Sequence, residues 1–462
     1  MANLKNLPLS KKTPLLQQIN DFLVDVFTSQ HLADPQLVVG YSGGLDSSVL
    51  LHLLHRARKN LPFKLEAHHV HHGLSPNADA WADFCHASCN QLNIPLTITK
   101  VIINKNSGLG LEASARAARY QALQTSNNHF IVLAHHQDDQ VETLLLQLAR
   151  GAGVKGLAGM AVIDLKRKLL RPLLNVPRIT LEAYAKQHKL TWIEDESNTD
   201  TRFDRNFMRH AVLPTLSEKY PAISQTISRT AELLAQASHL LNDLAELDAK
   251  NCQFDSCEPN KLWIQPLANL SVARINNCLR WWLFKNNLQM PSTAQLQQIV
   301  LQMFNAKVDS SIKIDVVNKV DSLKKTTLRR YQHFAYVVQD VTPYEPINLL
   351  WQGEEKLVLP DHSCLNFSKK MGEGLNLRSI ENTKLRLKNR EGGERFQPEI
   401  GRPSRDLKVM LQTHSMPPWQ RSQLPLIFMD EKLVLIPSIA VDAHLKASAD
   451  ELGLCVDWVR NT

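Results

Sequence analysis

A glycine- and serine-rich turn follows the first strongly apolar run of the chain, residues 37–41. Its residues are Ser42, Gly43, Gly44, Leu45, Asp46 and Ser47. Two adjacent glycines permit the close backbone approach and unusual dihedral angles of an anion-binding nest. The serines can cap an apolar helix that begins here, and the free N–H groups of that helix point at the turn. The spacing predicts a strand, a phosphate-binding loop and a helix.

Two familiar phosphate-binding loops do not match this turn. It contains no lysine, so it is not a Walker A loop, and its glycines lack the G-x-G-x-x-G spacing of a dinucleotide-binding fold. Asp46 adds a carboxylate, which would repel phosphate unless it binds Mg²⁺ or a cationic group.

A second polar cluster, residues 135–143, follows another apolar run at 130–134. Asp139, Glu142 and Thr143 are three and four residues apart, which places them on one face of a starting helix. The two carboxylates would then project from the edge of the sheet toward the ligand of the predicted phosphate-binding loop. The alternative is that Asp138 and Asp139 only cap the helix.

Two further pairs of charged residues have helical spacing. Glu112 and Arg116 are four residues apart, as are Arg205 and Arg209. The first pair is consistent with an ion pair within a helix or with a substrate contact, and the second with a solvated face or a phosphate clamp. Their spacing alone leaves both alternatives open.

The elements that must position these residues alternate over residues 37–213. Short apolar runs at 37–41, 65–70, 96–99 and 130–134 are separated by longer helical patterns. This alternation predicts an α/β fold with a doubly wound parallel sheet covered by helices. In such folds the loops after the strands line one edge of the sheet, where ligands bind. We assign a catalytic domain to residues 1–216.

The rest of the chain has a different pattern. Between 217 and 307 apolar residues recur at helical spacing without strand alternation, and between about 310 and 359 the sequence becomes β-rich. After 375, prolines, glycines and short strands indicate a small mixed α/β domain. We therefore expect a mainly helical substrate-binding domain at 217–359 and a C-terminal domain at 360–462.

The composition of the 462-residue chain is that of an ordinary globular protein, with 44% apolar and 21% charged residues. Its net charge of +8 suits a polyanionic partner. The seven scattered cysteines favour reduced thiols over a disulfide framework. No apolar run reaches the roughly 18 residues of a membrane span, so we expect a cytoplasmic protein without membrane contact. The sequence does not indicate an oligomeric state.

Residues 42–47 resemble the pyrophosphate-binding loop of the PP-loop ATP pyrophosphatases, which cleave ATP between the α and β phosphates and form an adenylated intermediate. Other motifs narrow the resemblance, and they lie at residues 70–74, 111–116, 135–143, 198–200, 205–209, 390–396, 407–408 and 417–419. Together they resemble the tRNA(Ile)-lysidine synthase family over nearly the whole chain.

This resemblance implies a reaction. The substrate would be the wobble cytidine of tRNA(Ile) with the anticodon CAU, and its C2 oxygen would attack the α-phosphate of ATP and expel pyrophosphate. The ε-amino group of free L-lysine would then displace AMP to form lysidine. Mg²⁺ would neutralise charge on the triphosphate.

The resemblance also implies roles for individual residues. ATP would be bound by Arg116 and the loop Ser42–Ser47, and Mg²⁺ by Asp46. Substrate contacts would come from Glu112, Arg205 and Arg209. A base must deprotonate the lysine ammonium before attack, and four carboxylates remain candidates: Asp46, Asp138, Asp139 and Glu142.

Rejection of the methionine tRNA with the same anticodon requires contacts elsewhere on the tRNA. This gives a purpose to the helical domain at 217–359 and to the domain at 360–462, which we assign to tRNA recognition. Between 384 and 408 eight cationic residues face four acidic ones, a net charge of +4. The cationic residues are Lys384, Arg386, Lys388, Arg390, Arg395, Arg402, Arg405 and Lys408. They constitute either solvated surface or a footprint for the tRNA backbone.

Three other functions compete with this interpretation. Another adenylating PP-loop enzyme that modifies tRNA, such as a cytidine thiolase, would rely on paired Cys-x-x-Cys motifs. The closest cysteine pairs, 85 with 89 and 252 with 257, have the wrong spacing. A metal-dependent phosphohydrolase would leave the loop at 42–48 without a purpose. A non-catalytic RNA-binding module would leave the carboxylate cluster unexplained.

Overall fold

The computed structural model describes residues 14–73, 75–102, 111–124, 130–305, 312–319, 325–339, 346–381 and 383–459. The chain divides into two compact units between Leu241 and Asn242, within the long helix Ile223–Asn251. Within the ranges above, no helix combines the length and apolarity needed to cross a membrane.

A six-stranded sheet forms the centre of the N-terminal unit, with the strand order β3-β2-β1-β4-β6-β5. Its strands are β1 (Gln36–Gly40), β2 (Lys64–His71), β3 (Leu96–Lys100), β4 (Phe130–Val132), β5 (Ile163–Asp164) and β6 (Leu169–Leu170). All neighbours pair in parallel except β5, which runs antiparallel to β6 at one edge. The predicted parallel sheet is confirmed.

The strand order places the two polar loops side by side. From β1 the chain adds β2 and β3 on one side, and it then crosses to add β4 on the other. The carboxyl ends of β1 and β4 therefore flank the point where the winding direction reverses, which is where open α/β sheets bind ligands. The loop at 42–47 follows β1, and the cluster at 135–143 follows β4.

Helices cover both faces of this sheet. The helices from α1 to the unit boundary are α1 (Leu15–Ser29), α2 (Leu45–Ala57), α3 (Ala78–Gln91), α4 (Leu111–Leu123), α5 (Gln137–Ala149), α6 (Val154–Leu157), α7 (Arg178–Gln187), α8 (Asp204–Phe207), α9 (Leu213–Lys219) and α10 (Ile223–Asn251), of which α1, α2 and α7 pack on one face and α4 on the other. Successive side chains of β4 point to opposite faces of the sheet. Phe130 and Val132 belong to the larger core with α1, α2 and α7, whereas Ile131 packs with Leu123 of α4. This two-sided packing is that of a doubly wound fold.

The C-terminal unit combines helices with several small antiparallel sheets. Its helices are α11 (Val272–Lys285), α12 (Thr293–Asn305), α13 (Leu407–Thr413) and α14 (Pro418–Arg421). Its first sheet has the order β7-β10-β9-β8, formed by β7 (Lys261–Trp263), β8 (Lys313–Val316), β9 (Thr326–Tyr331) and β10 (Phe334–Gln339). This sheet shares a core with α11 and α12 that includes the buried Trp281 and Trp282.

Three more sheets follow toward the C-terminus. Their strands are β11 (Asn348–Leu350), β12 (Lys356–Val358), β13 (Cys364–Met371), β14 (Leu375–Asn376), β15 (Leu385–Asn389), β16 (Arg395–Phe396), β17 (Arg405–Asp406), β18 (Pro425–Met429), β19 (Lys432–Ile436), β20 (Ala440–Val441) and β21 (Leu452–Val459). They pair in the orders β11-β15-β18-β19-β20, β12-β13-β21-β14 and β16-β17. This β-rich arrangement with two short helices agrees with the expected mixed α/β C-terminal region.

The expectation that residues 217–307 contain no strand is wrong at β7. This strand pairs antiparallel with β10, with Phe334 opposite Trp263 and Tyr336 opposite Lys261. It has only three residues, which is too short for an alternating pattern to be recognised beside the long helices around it.

Candidate active site

The loop between β1 and α2 has the backbone that its glycines predict. Gly43 has φ +83°, a left-handed conformation that residues with a side chain rarely adopt. Gly44 is the N-cap of α2 and offers no side chain to the first turn. The Ser47 hydroxyl donates to the Gly44 carbonyl at 3.0 Å and lies 3.1 Å from the Ser42 hydroxyl. The loop is therefore a compact turn at a helix N-terminus, a geometry suited to anions.

Gly43 is also closely packed against distant parts of the chain. The backbone N–H of Ile193 donates to the Gly43 carbonyl at 2.9 Å. A Cβ atom on Gly43 would lie 2.8 Å from Ile193 Cδ1 and 3.1 Å from Cys85 Sγ. The position therefore requires glycine both for its dihedral angle and for its lack of a side chain.

We expect Gly43→Ala to raise the KM for ATP about tenfold, because the left-handed backbone and the crowding together cost roughly 1–2 kcal/mol and displace the loop. Steady-state kinetics over a range of ATP concentrations measures this effect. Gly151→Ala is the matched control, since Gly151 also has positive φ (+69°) but an added Cβ meets no atom within 4 Å. Equal KM values in the two variants would show that crowding at Gly43 is unimportant.

A buried histidine connects this loop to the second polar cluster. The His136 side chain is 1% exposed, and its Nε2 atom lies 3.5 Å from Asp46 Oδ2 and 3.4 Å from Asp139 Oδ2. Burial acts to lower the pKa of His136, but the Asp46 and Asp139 carboxylates outweigh it and the pKa is raised. The imidazolium form is therefore favoured between the two acids.

Asp139 and Glu142 lie on one face of α5, as predicted, and both meet arginines. Glu142 is fully buried and accepts hydrogen bonds from Arg205 Nε at 2.7 Å and Arg209 Nε at 2.6 Å. Asp139 accepts from Arg205 Nη2 at 3.0 Å and from the backbone N–H of His136 at 2.9 Å. Burial would raise the pKa of Asp139, but His136 and Arg205 hold it below its ordinary value. Both acids thus belong to one network with two guanidinium groups.

Asp138 differs from its neighbours. It is half-buried, and it forms no hydrogen bond or ion pair with any other residue that the structure describes. Burial raises its pKa, and the Asp139 and Glu142 carboxylates act in the same direction. Adjacent acids on α5 thus have pKa values shifted in opposite directions, that of Asp138 raised and that of Asp139 lowered.

Arg116 lies on α4, where its Nη2 donates to the Tyr120 hydroxyl at 3.4 Å and its guanidinium stands 5.4 Å from the Tyr120 ring centre. Burial lowers the pKa of His135 to about 3, and the charges of Arg171, Arg116 and Arg205 contribute to that decrease. The cluster at the end of β4 is therefore surrounded by cationic side chains. The side chain of Glu112, also on α4, lies outside the described residues, as does Leu74 of the motif at 70–74.

The structure therefore brings Asp46, Asp139, Glu142, Arg205 and Arg209 into one continuous set of contacts. His136 belongs to the motif at 135–143 but was not among the predicted site residues, because two adjacent histidines after a strand can equally be metal ligands or pack on the strand end. It also missed Ile193, which contacts Gly43 across 150 positions of sequence without any local signal. Contacts over such separations depend on the fold and not on spacing.

Three models of known protein domains match the sequence of this chain. Residues 12–216 match the model of the PP-loop domain, residues 262–336 the TilS substrate binding domain and residues 385–458 the TilS substrate C-terminal domain. Fold and loop thus define a PP-loop enzyme that uses ATP.

Curated relatives give the particular family. The chain is 39% identical to the tRNA(Ile)-lysidine synthase of Nitrosomonas europaea over 92% of both chains. It is 36% identical to that of Coxiella burnetii, over 93% of this chain and 95% of the relative, and 38% identical to that of Haemophilus influenzae strain PittEE, over 89% and 97%. The chain belongs to the tRNA(Ile)-lysidine synthase family, and it is a ligase of the PP-loop class.

Proposed function

We propose that this enzyme joins free L-lysine to C2 of the wobble cytidine of tRNA(Ile) with the anticodon CAU. ATP activates the cytidine as an adenylated intermediate, and AMP and pyrophosphate are released. The observation that carries this proposal is the direct link, through His136, between the PP-loop acid Asp46 and the network of Asp139 and Glu142. The same site would then hold the departing pyrophosphate and the acidic side chains that bind the lysine amine.

The first step is nucleotidyl transfer to the base. The C2 oxygen of the cytidine bonds to the α-phosphorus of ATP, and the bond to the β-phosphate oxygen breaks. The loop Ser42–Ser47 holds the departing pyrophosphate with backbone N–H groups at the start of α2, and Arg116 neutralises phosphate charge. Positioning and charge neutralisation supply most of the rate in such transfers.

Asp46 fits a Mg²⁺ ion. Its Oδ1 atom is buried without a hydrogen-bond partner among the described residues. Mg²⁺ in nucleotide sites is typically held by one or two carboxylates together with substrate phosphates. Asp46 would hold the ion, and the ion, when bound, neutralises charge on the triphosphate.

The second step is attack by lysine. Its ε-nitrogen bonds to C2, the bond from C2 to the oxygen carrying AMP breaks, and a proton leaves the nitrogen. Asp138 is our candidate for the base, because its pKa is raised and it forms no ion pair within the described part of the chain. Asp139 and Glu142 are paired with Arg205 and Arg209, and we assign this network to orienting the substrate. Glu112 is a further substrate contact on the grounds of the sequence motif at 111–116.

The remainder of the chain recognises the tRNA. We assign residues 1–216 to catalysis, 217–359 to substrate binding and 360–462 to tRNA recognition, and each of the three family matches falls within one of these ranges. Of the eight cations between 384 and 408, three form ion pairs: Lys388 with Glu431, Arg390 with Glu394 and Arg402 with Glu399. The other five cations can contact the phosphate backbone of the tRNA. The surface that binds the tRNA therefore has fewer available charges than the eight cations of the sequence suggest.

Mass spectrometry of nucleosides after incubation with ATP, Mg²⁺ and lysine tests this function. We expect lysidine in tRNA(Ile) with the anticodon CAU and unmodified cytidine in the methionine tRNA with the same anticodon. Omission of lysine should abolish the product. Formation of any other modified cytidine, or none, would refute the proposed reaction.

A further inference from the structure

Arg205 and Arg209 lie on a helical segment formed by α8 and the π-helical turn Met208–Val212, which we call the arginine helix. Turns of this kind are rare and are often found at functional sites. The segment has a second polar pair, Asn206 and His210, which has the same spacing of four residues as the arginines. Neighbouring residues of a helix point in different directions, so the second pair faces other parts of the chain. The proposed reaction gives a role to the arginine face alone.

Asn206 and His210 both bind backbone carbonyls of the turn that precedes the arginine helix. Asn206 Nδ2 donates to the Asp200 carbonyl at 3.0 Å, and His210 Nε2 lies 2.8 Å from the Asn198 carbonyl. A carbonyl oxygen only accepts, so the Nε2 atom carries the proton in this contact. Two side chains one helical turn apart therefore fasten the arginine helix to residues 198–200.

Residues 193–200 connect this turn to the phosphate-binding loop. At one end of the segment, the backbone N–H of Ile193 donates to the Gly43 carbonyl at 2.9 Å. In the middle, Glu196–Thr199 form a 3₁₀ turn. The ordered turn keeps the two attachments, at Ile193 and Asn198, at a defined separation. A displacement of the arginine helix is therefore linked to a displacement of the loop.

The arginine helix is thus attached to the phosphate-binding loop along two routes. One route passes through α5, and its members in order are Arg205 and Arg209, Glu142 and Asp139, His136, and Asp46 of the loop. The other passes through residues 193–200. Together they form a closed ring of contacts within the N-terminal unit. The second route fixes the position of the two guanidinium groups relative to the loop more firmly than the first route could alone.

We propose that Asn206 and His210 are positioning residues for the transfer of lysine. They hold the arginine helix at a fixed distance from the phosphate-binding loop, and so place Asp139 and Glu142 for the lysine beside the adenylated cytidine. This inference rests on the proposed function, which assigns those two acids to orienting the substrate. Adenylation of the cytidine depends instead on the loop Ser42–Ser47, so it does not require the second route.

Kinetics of the two steps in Asn206→Ala and His210→Ala test this inference in the full-length enzyme. Because each variant loses one orienting hydrogen bond, we expect kcat/KM for lysine to fall about fivefold in each. The KM for ATP and the rate of pyrophosphate release with tRNA, ATP and Mg²⁺ but without lysine should stay normal. His210 is exposed, so its variant should fold normally.

Two further variants serve as controls. His210→Gln should restore the lysine step, because the glutamine amide can donate to the Asn198 carbonyl as the imidazole does. His239→Ala is the matched control for the loss of a histidine, since His239 is an exposed histidine on α10. It should leave both steps unchanged.

Two outcomes would overturn the inference. One is an equal loss in both steps, which would show that the two side chains only support the fold. The other is a normal lysine step in both alanine variants. Lysidine formation by the unaltered enzyme separates this failure from failure of the proposed function. If lysidine forms and both variants behave as His239→Ala does, only the assignment of Asn206 and His210 is wrong.

Discussion

Asp46→Asn is expected to lower the rate of tRNA adenylation roughly 10³-fold, a loss comparable to removal of one electrostatic stabiliser of a transition state. The substitution keeps the shape of the side chain but removes its charge. Asparagine cannot neutralise a Mg²⁺ ion as a carboxylate does, and it removes one of the two acids that flank His136. Pyrophosphate release in the presence of tRNA, ATP and Mg²⁺ measures the effect.

The control for this variant is Asp83→Asn, because Asp83 is an exposed acid on α3 in the same domain. It should adenylate tRNA at the normal rate. The affinity of Asp46→Asn for tRNA should stay within about twofold of normal, since the tRNA is bound largely through its phosphates. Full adenylation activity in Asp46→Asn would mean that the loop does not act on the nucleotide.

Glu142→Gln is expected to cause the largest loss of stability, about 3 kcal/mol, because it removes the fully buried carboxylate between Arg205 and Arg209. Asp139 would remain as a carboxylate that both guanidinium groups contact. They are 21% and 24% exposed, so water compensates part of the loss and the low end of the usual range applies. Thermal unfolding should show a decrease in Tm of roughly 8 °C, and lysidine formation should fall with it.

A second substitution separates stability from activity at this site. Combining Glu142→Gln with Arg209→Gln restores the balance of charge, so a part of the lost stability should return. Lysidine formation should not return, because the network that orients the substrate remains incomplete. Normal stability and activity in the single variant would show that the four charges act independently.

The framework of the site was predictable because it depends on local patterns. Apolar runs of strand length predicted β1 and β4. The residues that follow these strands in sequence must lie at one edge of a parallel sheet. The glycines of the turn near Gly43 and the one-face spacing of Asp139 and Glu142 were equally local signals.

The contacts that set the chemistry were not predictable in the same way. Arg205 and Arg209 meet Glu142 across 63 and 67 residues, and spacing alone made them a phosphate clamp or a solvated face. The pairing of His136 with Asp46 likewise depends on the adjacency of β1 and β4. Ion pairs between distant segments depend on the three-dimensional arrangement of the fold, and no periodic pattern in the sequence predicts them.

The fate of the α-phosphate of ATP tests the central claim most directly. With ATP labelled at that phosphate, tRNA(Ile), Mg²⁺ and no lysine, we predict that label accumulates on the tRNA while an equal amount of pyrophosphate is released. Addition of lysine should then discharge the label as AMP, one for each lysidine formed. Label attached to lysine in place of tRNA, or release of inorganic phosphate without AMP, would contradict the account.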